Sequence, residues 1–331
     1  MSFAQKVAAV ALRSGLDRLV QHSWKGVLIF NYHRIGTPTT CDDPDLYSCS
    51  VDDFERHVAL LSSRFEIVPA GAADLDLERP GRRVAITVDD GYKDMRLAAD
   101  VLTARGVPGT FFICTGFLDR PHAAWWDEIA WLMRPPTPRT LPPAPWLPEG
   151  MVAGGRSDDE VRREVTAAYK RHAGDEGERF LHWLADATGR ERNISCGANQ
   201  WLTWDDVRGL RDAGLAIGGH TVSHPVLAGI SVERQREEIV GSLRRLREET
   251  GSPVDLFSYP VGDRASFSTD TIDLLAESGV RRAFSFYGGV NSGGADRWDF
   301  RRVGVFRTYT VDMIAAMAAM PGIFASPKRY E

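Results

Sequence analysis

The feature that most constrains the fold is a repeated alternation of short apolar runs with helical patterns. The strand-like runs lie at residues 26–33, 84–88, 110–115, 215–219 and 254–260. Helical patterns follow several of these runs, and several of the helices end at a glycine, which is a helix-stop signal. Strands that alternate with helices favour parallel strands joined by crossover helices. The sequence therefore predicts an α/β fold, and its functional residues are expected at the carboxyl ends of the strands.

Three helices carry clear boundary signals. Thr203 and Asp206 form a capping-box-like start for a helix that ends near Gly214. Residues 232–250 predict one long charged helix, and residues 269–279 predict a shorter helix with a glycine stop.

The alternation of strand and helix patterns is interrupted at about residues 119–200. Within them, residues 134–148 contain seven prolines, which excludes a regular helix or an interior strand. The part that follows is helical in pattern, and strands resume after it. We therefore predict a single domain over 1–331 with a helical, proline-rich insertion at about 119–200.

Composition excludes several classes of protein. The chain has 331 residues, 43% of them apolar, and its 40 basic and 45 acidic side chains are well mixed. This fits a soluble globular protein with a sizeable core, and it offers no clustered basic face for nucleic acid.

The cysteines and the N-terminus suggest a cytoplasmic protein. The cysteines form no C-x-x-C pair, so we interpret them as buried thiols in a reducing compartment; they are Cys41, Cys49, Cys114 and Cys196. The apolar run at 7–12 is too short for a signal peptide and is closed by Arg13. Apolar residues at helical spacing over 12–20 predict a docking helix, with contact to a membrane surface as the alternative. No run is long enough to span a bilayer.

Polar clusters stand at or directly after the ends of three of the apolar runs. They are Asp89-Asp90, the segment HTVSH at 220–224, and His33. Each has an ordinary structural explanation as well. Asp-Asp-Gly is a common turn and either aspartate could cap the next helix, the two histidines could be a chance pair, and His33 could be a core histidine.

Taken together, the clusters indicate a metal site. Two imidazoles and one carboxylate form the three-ligand set of an open catalytic site for a divalent cation. A cation between the two neighbouring carboxylates would offset their repulsion. The second aspartate would then remain unligated and serve as a general base for water.

The segments TVDDG, HTVSH and SYPVG resemble the successive motifs of the polysaccharide deacetylase family, carbohydrate esterase family four. The resemblance implies an irregular (β/α)7-type barrel that removes acetyl groups from sugars. It implies Asp89 as the base and Asp90, His220 and His224 as ligands of a divalent metal. Zinc is the expected ion, with cobalt or nickel as alternatives.

Two features depart from the common family pattern. The chain has no histidine after His224, so the usual late His-Asp motif is missing. The segment VLIFNYHRI at 27–35 resembles the strand that carries this motif, moved to the start of the sequence. Such an order is found in the circularly permuted branch of the family, which includes poly-N-acetylglucosamine deacetylases. The resemblance then implies His33 as the catalytic acid. Where many relatives have an arginine in the third motif, this chain has Ser258. Arg302 is our candidate for the missing arginine that orients the base, although it could be a surface residue like Arg301.

The third motif and a tryptophan pair supply the expected substrate contacts. We assign Tyr259 and Pro260 to the sugar-binding wall and the Val261 N–H to the oxyanion. Trp126, with Trp125 beside it, could stack on a sugar ring, and core packing at a helix start is the alternative explanation.

The expected function is metal-dependent hydrolysis of N-acetyl groups on an amino-sugar polysaccharide or oligosaccharide. The expected partner is an acetylated carbohydrate. An O-acetyl sugar esterase and a carbohydrate-binding pseudoenzyme remain as alternatives, the latter supported only by the missing arginine.

Overall fold

The structure is a computed structural model that describes residues 5–8, 10, 24–40, 42–71, 77–79 and 83–327. The predicted docking helix over 12–20 and Cys41 lie outside the described residues, as does the side chain of Cys196. Cys49 and Cys114 are buried free thiols, as expected. Within the described ranges, no helix combines the length and the apolar character that crossing a membrane requires.

Twelve strands are defined in the described part of the chain. They are β1 (Val27–Tyr32), β2 (Arg34–Ile35), β3 (Tyr47–Cys49), β4 (Glu66–Ile67), β5 (Arg83–Val88), β6 (Thr110–Ile113), β7 (Thr140–Leu141), β8 (Met151–Val152), β9 (Ala216–Gly219), β10 (Leu256–Ser258), β11 (Arg282–Phe284) and β12 (Arg302–Gly304).

Besides four short 3-10 helices and helical residues at 5–8 and 10, eleven α-helices have defined bounds in the described part of the chain. They are α1 (Val51–Arg64), α2 (Met95–Ala104), α3 (Thr115–Asp119), α4 (Trp125–Leu132), α5 (Asp158–His172), α6 (Gly177–Thr188), α7 (Trp204–Asp212), α8 (Val232–Thr250), α9 (Thr269–Glu277), α10 (Val311–Ala319) and α11 (Pro321–Phe324).

Seven parallel strands form a nearly closed barrel. Their order is β11-β10-β9-β6-β5-β1-β12, and β4 pairs with β5 beside this path. The two ends of the path approach each other, because the Ser285 N–H donates to the Phe300 carbonyl over 2.9 Å and the Phe300 N–H donates to the Ala283 carbonyl over 3.0 Å. The predicted (β/α) barrel with parallel strands is therefore confirmed.

The barrel interior changes from apolar to polar along the strands. Successive side chains of a strand point to opposite faces, so alternate residues share the interior. One apolar cluster fills the lower part and contains Val27, Ile29, Ala70, Ala85, Phe112, Leu256, Phe284 and Phe300. Two residues further along β1 and β5 the same face presents Asn31 and Thr87, both fully buried. The polar groups thus begin at the carboxyl end of the barrel.

The outer helices follow the predicted boundaries closely. Helix α8 spans residues 232–250 as predicted, with the Ser231 hydroxyl accepting from the Arg234 N–H at its start. Its apolar face buries Ile239 and Leu243 completely against the barrel, which stabilises the fold by about 1.5–3 kcal/mol for each such side chain. The predicted capping box of α7 is formed.

The 119–200 region packs beside the carboxyl end of the barrel. It contributes α4, α5 and α6, and its proline-rich segment holds only the two-residue strand β7, paired with β8. Whether it is an insertion into one domain stays a prediction. The local sequence patterns gave no prediction for α1, β11, β12 or α10.

Candidate active site and metal centre

The two neighbouring aspartates directly follow strand β5. Asp89 and Asp90 are 2% and 1% exposed, and Asp90 has a φ of +90°, which a non-glycine residue rarely adopts. Neither residue caps helix α2, because Asp94 occupies its N-cap position. The explanation of either aspartate as a helix cap is therefore excluded.

Asp89 is held by a buried arginine. Its Oδ1 accepts from Arg302 Nη1 over 2.8 Å, and its Oδ2 accepts from Arg302 Nη2 over 2.9 Å. Asn31 Nδ2 and the Ser258 hydroxyl also donate to Oδ2, over 3.2 and 3.1 Å. Burial alone would raise the pKa of Asp89, but the Arg302 charge lowers it well below its usual range. Asp89 is therefore ionised and fixed in orientation.

Arg302 occupies the polar layer inside the barrel. It is fully buried at the start of β12, so it is not a surface residue like the partly exposed Arg301. Besides Asp89, it donates to Asn31 Oδ1 over 2.7 Å, to the Ser258 hydroxyl over 2.7 Å and to the Ser285 carbonyl over 3.0 Å. A bidentate arginine–carboxylate pair combines strength with fixed geometry.

His220 and His224 lie in the loop after β9, not on a helical turn. Their rings nevertheless meet, with centroids 4.8 Å apart, because Thr221 and His224 adopt left-handed φ values of +66° and +58°. The Thr221 hydroxyl accepts from the His224 N–H over 2.9 Å and fixes this bend.

The hydrogen bonds of His220 define which ring nitrogen faces the site. Its Nδ1 lies 2.7 Å from the Ser258 carbonyl, which can only accept, so Nδ1 carries the proton. In the neutral ring Nε2 then presents a lone pair, and it lies 3.4 Å from Asp90 Oδ1. The His224 Nε2 lies 3.6 Å from the same oxygen. Burial, followed by His220, lowers the pKa of His224 to about 3, so this ring is neutral near pH 7.

These three side chains fit a divalent cation. Both carboxylate oxygens of Asp90 are buried and accept no hydrogen bond from any described residue. Ring nitrogens and carboxylate oxygens that face one another without a partner would leave lone pairs opposed unless a cation or a proton lies between them. The donor set of two nitrogens and one oxygen is that of an open zinc-type site.

Cys114 is a further potential donor that the sequence analysis did not identify as part of the site. Ligand atoms of Asp90, Cys114 and His220 all lie within 4.8 Å of one another. The Cys114 thiol donates to the His220 carbonyl over 2.9 Å, and burial raises its pKa well above the usual range. Cys114 therefore supports the backbone of His220 through its thiol.

His33 lies just beyond β1, on the same side of the barrel. Its N–H donates to the Ser48 hydroxyl over 2.9 Å, and its ring contacts the Phe286 ring edge-on at 5.2 Å between centroids. Burial lowers the pKa of His33, while Asp90 and Asp89 act in the opposite direction. The ring is placed at the opening of the site rather than in the apolar core.

One cavity of about 240 Å³ collects most of the predicted residues. Its walls include His33, Asp89, Asp90, Trp125, Trp126, His220, His224, Tyr259, Val261 and Arg302. Pro260 is buried and does not belong to these walls. Val261 has a φ of +63°, which is strained for a β-branched residue.

The polar groups of the predicted aromatic contacts are already used within the protein. The Tyr259 hydroxyl donates to the Trp298 carbonyl over 2.9 Å, and the Tyr259 ring stacks on Phe267 at 3.9 Å. Trp125 Nε1 donates to the His224 carbonyl over 3.0 Å, and the Trp126 ring contacts the His224 ring at 4.6 Å. Both tryptophans are less than 10% exposed, so they hold the histidine loop in addition to lining the cavity.

The remaining walls come from segments that the sequence analysis did not connect with the site. They include Asp43, Asp45, Leu46, Thr166, Lys170, Phe286, Val305 and Phe306. Behind Trp126 lies a buried network in which Trp126 Nε1 donates to the Tyr92 hydroxyl over 2.7 Å, and Tyr92 in turn donates to Asp127. Burial raises the pKa of Asp127 to about 7.

The fold and site together define an α/β-barrel protein with a candidate metal centre at the carboxyl edge of its strands. A family model described as polysaccharide deacetylase matches residues 76–283, which is well over half of the chain. The chain belongs to the polysaccharide deacetylase family. The matched segment contains both aspartates and both histidines of the candidate metal centre, whereas His33 and Arg302 lie outside it.

Solved structures share this fold at low sequence identity. A Streptococcus pyogenes deacetylase, PplD, in complex with acetate is 14% identical with a TM-score of 0.57, and the match covers 87% of this chain and 95% of that one. IcaB from Ammonifex degensii is 19% identical with a TM-score of 0.56, covering 89% and 97%. A de-N-acetylase from Aggregatibacter actinomycetemcomitans is 17% identical with a TM-score of 0.52, covering 86% and 96%. No curated protein matches significantly by sequence. At these identities the likeness establishes the fold.

Proposed function

We propose that the protein is a metal-dependent deacetylase that hydrolyses N-acetyl groups of an amino-sugar polysaccharide or oligosaccharide. The observation that carries this proposal is the convergence of His220 and His224 on Asp90, whose two buried carboxylate oxygens accept no hydrogen bond from the described residues. Membership of the polysaccharide deacetylase family supports it. The structural neighbour from Aggregatibacter actinomycetemcomitans is a de-N-acetylase, which supports the choice of an amide.

Asp90, His220 and His224 would hold the cation, with zinc as the expected ion and cobalt or nickel as alternatives. When bound, such a cation acts as a Lewis acid that polarises a carbonyl and lowers the pKa of water toward neutrality. The Ser258 carbonyl orients His220, and Trp126 packs against His224. Such outer contacts fix ligand rings and tune their basicity.

Asp89 would act as the general base. Its ionised carboxylate accepts the proton of the attacking water, and Arg302 keeps it aimed at the cavity. Because Arg302 also makes Asp89 a weak base, the proton transfer depends on a water whose own pKa is lowered. The two proposed roles, base for Asp89 and metal ligand for Asp90, explain why only Asp89 is paired with an arginine.

His33 would act as the general acid, and Val261 would stabilise the oxyanion. An amine is a poor leaving group until it is protonated, and a positioned acid typically contributes about 10²–10⁴-fold in rate. The Val261 backbone N–H is the proposed oxyanion donor, and removal of one such donor typically costs about 3–4 kcal/mol. Both residues line the same cavity as Asp89.

Acetate release tests this function. We expect the protein to release acetate from chitooligosaccharides or poly-N-acetylglucosamine, and a chelator to abolish the release. Asp89→Asn and His33→Ala proteins should lose turnover but retain metal, whereas His220→Ala should lose both. Full activity of Asp89→Asn would remove the base assignment, and chelator-resistant acetate release would overturn the metal dependence.

The two alternatives make different predictions. An O-acetyl esterase expels an alkoxide that needs less help from His33, so it would hydrolyse matched ester substrates faster than amides and tolerate His33→Ala. The alternative of a carbohydrate-binding pseudoenzyme was supported only by the absence of an arginine from the third motif. The bidentate contact of Arg302 with Asp89 supplies that arginine from another strand and favours the enzyme.

We also propose that the protein acts in the cytoplasm on lipid-linked or oligosaccharide precursors. The buried free thiols of Cys49 and Cys114 support a reducing compartment. Contact with a membrane surface through the N-terminal residues is part of this hypothesis. Cell fractionation that finds the protein outside the inner membrane would overturn it.

A further inference from the structure

The cavity wall opposite the barrel is built by helix α5 and the turn at residues 43–46. Arg162, Thr166 and Lys170 follow one another at intervals of four on α5, so they share one face of the helix. Thr166 and Lys170 line the cavity, together with Asp43 and Asp45 from the turn. This wall bears charged groups that have no part in the proposed hydrolysis.

The acidic groups of this wall are already neutralised. Arg162 is buried, and its Nη1 lies 2.6 Å from Asp43 Oδ1 while its Nη2 lies 2.7 Å from Asp45 Oδ2. Arg163 binds both oxygens of Asp45 over 2.7 and 2.9 Å. Two carboxylates therefore face two guanidinium groups, and they leave little negative charge toward the cavity.

Lys170 is the cation that remains available. It is an exposed residue, and within the described chain it forms no ion pair within 4.0 Å and no hydrogen bond. The other permanent cation of the cavity wall, Arg302, is occupied by Asp89. Asp43 and Asp45 are neutralised, and Asp263, which also acts on Lys170, does not line the cavity, so the ammonium of Lys170 is the unpaired charge that this wall presents to a ligand.

The surroundings of Lys170 favour an added anion. Desolvation lowers the pKa of its ammonium, while the carboxylates of Asp43, Asp263 and Asp45 raise it in opposition. An anionic ligand group would act in the same direction as these carboxylates and stabilise the charged form. Lys170 lies exposed at the cavity wall, where the nearby protein lowers the local dielectric and makes such an attraction stronger than in open water.

We propose that Lys170 recognises an anionic group of the substrate, so that the preferred substrate is an acidic oligosaccharide. The N-acetylated amino sugar itself, or the sugar linked to it, would carry a carboxylate or a phosphate. This proposal rests on the proposed function and narrows its substrate class. A charge-assisted contact of this kind contributes about tenfold to a hundredfold in affinity.

Matched neutral and acidic substrates test the proposal. One pair is tetra-N-acetylchitotetraose and a tetrasaccharide of alternating 1,4-linked glucuronic acid and N-acetylglucosamine; the other is N-acetylglucosamine and its 6-phosphate. We expect kcat/KM for the acidic member of at least one pair to exceed that for the neutral member by about tenfold or more. The pair that shows the preference identifies the anion as carboxylate or phosphate.

Substitution of Lys170 then assigns the preference to this residue. In Lys170→Met the acidic-to-neutral ratio should fall toward one, and Lys170→Arg should retain most of it. Lys25→Met removes an exposed lysine near the opposite end of β1 and serves as the matched control, with an unchanged ratio. A ratio of one in the native protein, or an unchanged ratio in Lys170→Met, would overturn the proposal.

Binding separates this proposal from the proposed function. Calorimetry on His33→Ala protein and on the double variant His33→Ala/Lys170→Met measures sugar binding without turnover. For each pair of sugars it gives the ratio of the Kd values of the acidic and the neutral member. If no substrate releases acetate, the proposed function fails, and the Kd ratio still decides the anion preference. Equal Kd values for acidic and neutral sugars would contradict the role of Lys170 even if acetate is released.

Discussion

Asp89 and Arg302 form a buried ion pair across 213 residues of sequence. The pair joins the end of β5 to β12, and both partners also bind Ser258, the last residue of β10. One arginine therefore positions the proposed base, the polar layer beneath it and the start of the third motif. The Asp89–Arg302 pair is buried away from solvent, so removal of either residue leaves the charge of the other uncompensated.

Replacement of Arg302 should damage both stability and catalysis. Arg302→Met should lower the free energy of unfolding by about 3–5 kcal/mol, because it leaves the Asp89 carboxylate buried without its partner. Arg302→Lys keeps the positive charge but loses the two parallel hydrogen bonds of the guanidinium group to Asp89. Because the proposed base is then no longer fixed in orientation, kcat should fall by about a hundredfold. Urea unfolding and acetate release measure the two effects. Arg301→Lys is the control, and equal effects at 301 and 302 would contradict the assigned role.

Asp127 should make stability depend on pH in the near-neutral range. Burial raises its pKa to about 7 in the folded protein, against a usual value of about 3.9 in the unfolded chain. The folded state therefore holds this proton more tightly, so the stabilisation is present below about pH 4 and is lost as the pH rises through about 7. The limiting contribution is about 4 kcal/mol.

The Asp127→Asn variant tests this linkage. Its free energy of unfolding should vary less than that of the native protein between pH 4 and 7, as measured by urea titration at several pH values. The exposed Asp273→Asn should retain the native slope. Equal slopes in native and Asp127→Asn proteins would show that Asp127 does not titrate in this range.

At the residue scale, the sequence allowed prediction of the site residues that lie at or directly after the ends of strands. Asp89, Asp90, His33, His220 and His224 were predictable as neighbours because parallel strands bring their carboxyl ends to one edge. The contacts of Cys114 and Lys170 were not, since nothing in their local pattern indicates which cavity they face. Pro260 illustrates the converse, because a motif position can be buried behind the wall that its neighbours form.

At the scale of elements, four non-glycine residues of the described ranges adopt left-handed backbone conformations. They are Asp90, Thr221, His224 and Val261. All four lie in loops that follow strands β5, β9 and β10, and each such conformation typically costs about 1–3 kcal/mol. Backbone strain of this kind is characteristic of functional sites, where surrounding contacts maintain it. The helical spacing of the two histidines gave no indication of this loop geometry.

Helix α5 depends on Arg162 for its position over the cavity. Arg162→Met should lower the free energy of unfolding by about 3–5 kcal/mol, because it leaves Asp43 without its buried cation. It should also raise KM more than it lowers kcat, since the turn at 43–46 and α5 line the cavity rather than the metal centre. Unfolding and steady-state kinetics provide both measurements.

Arg163→Met provides the matched control for Arg162. Arg163 is 57% exposed and pairs with the partly exposed Asp45, so its loss should cost about 1 kcal/mol or less. Comparable losses of stability in the two variants would show that burial of the Arg162 pair has no special effect.

Element boundaries were predictable where the local signals were strong. The capping residues of α7 and the glycine that ends α8 lie in the chain itself, so local chemistry defines these ends. The three-residue strands β11 and β12 carry too little periodicity to be recognised, and their identity comes from pairing with distant strands. The packing of α5 over the barrel mouth depends on ion pairs between residues more than 100 positions apart.

For the molecule as a whole, closure of the barrel brings the proposed base, its arginine and the candidate ligands together. The ends of the strand path meet through β11 and the residues before β12, which places Arg302 beneath Asp89. The family resemblance made the fold predictable from three short motifs. The position of Arg302 needed the complete barrel, because its strand begins outside the segment that matches the family model.

Metal binding should stabilise the whole protein. A ligand that binds only the folded state raises the free energy of unfolding by about 2.7 kcal/mol at one hundred times its Kd. We therefore expect Zn²⁺ to raise Tm by several degrees relative to protein treated with a chelator. His220→Ala should show little of this increase, whereas the surface variant His182→Ala should show all of it. The same increase in His220→Ala would contradict the proposed ligand set.

Anomalous diffraction from crystals grown with zinc, recorded on both sides of the zinc absorption edge, tests the central claim most directly. We predict a single strong peak within about 2.0–2.2 Å of an Asp90 carboxylate oxygen and a nitrogen of each of His220 and His224, with Asp89 outside the coordination sphere and still paired with Arg302. A peak held by other residues, or an empty site between these three side chains at saturating zinc, would contradict the proposed metal centre and the function built on it.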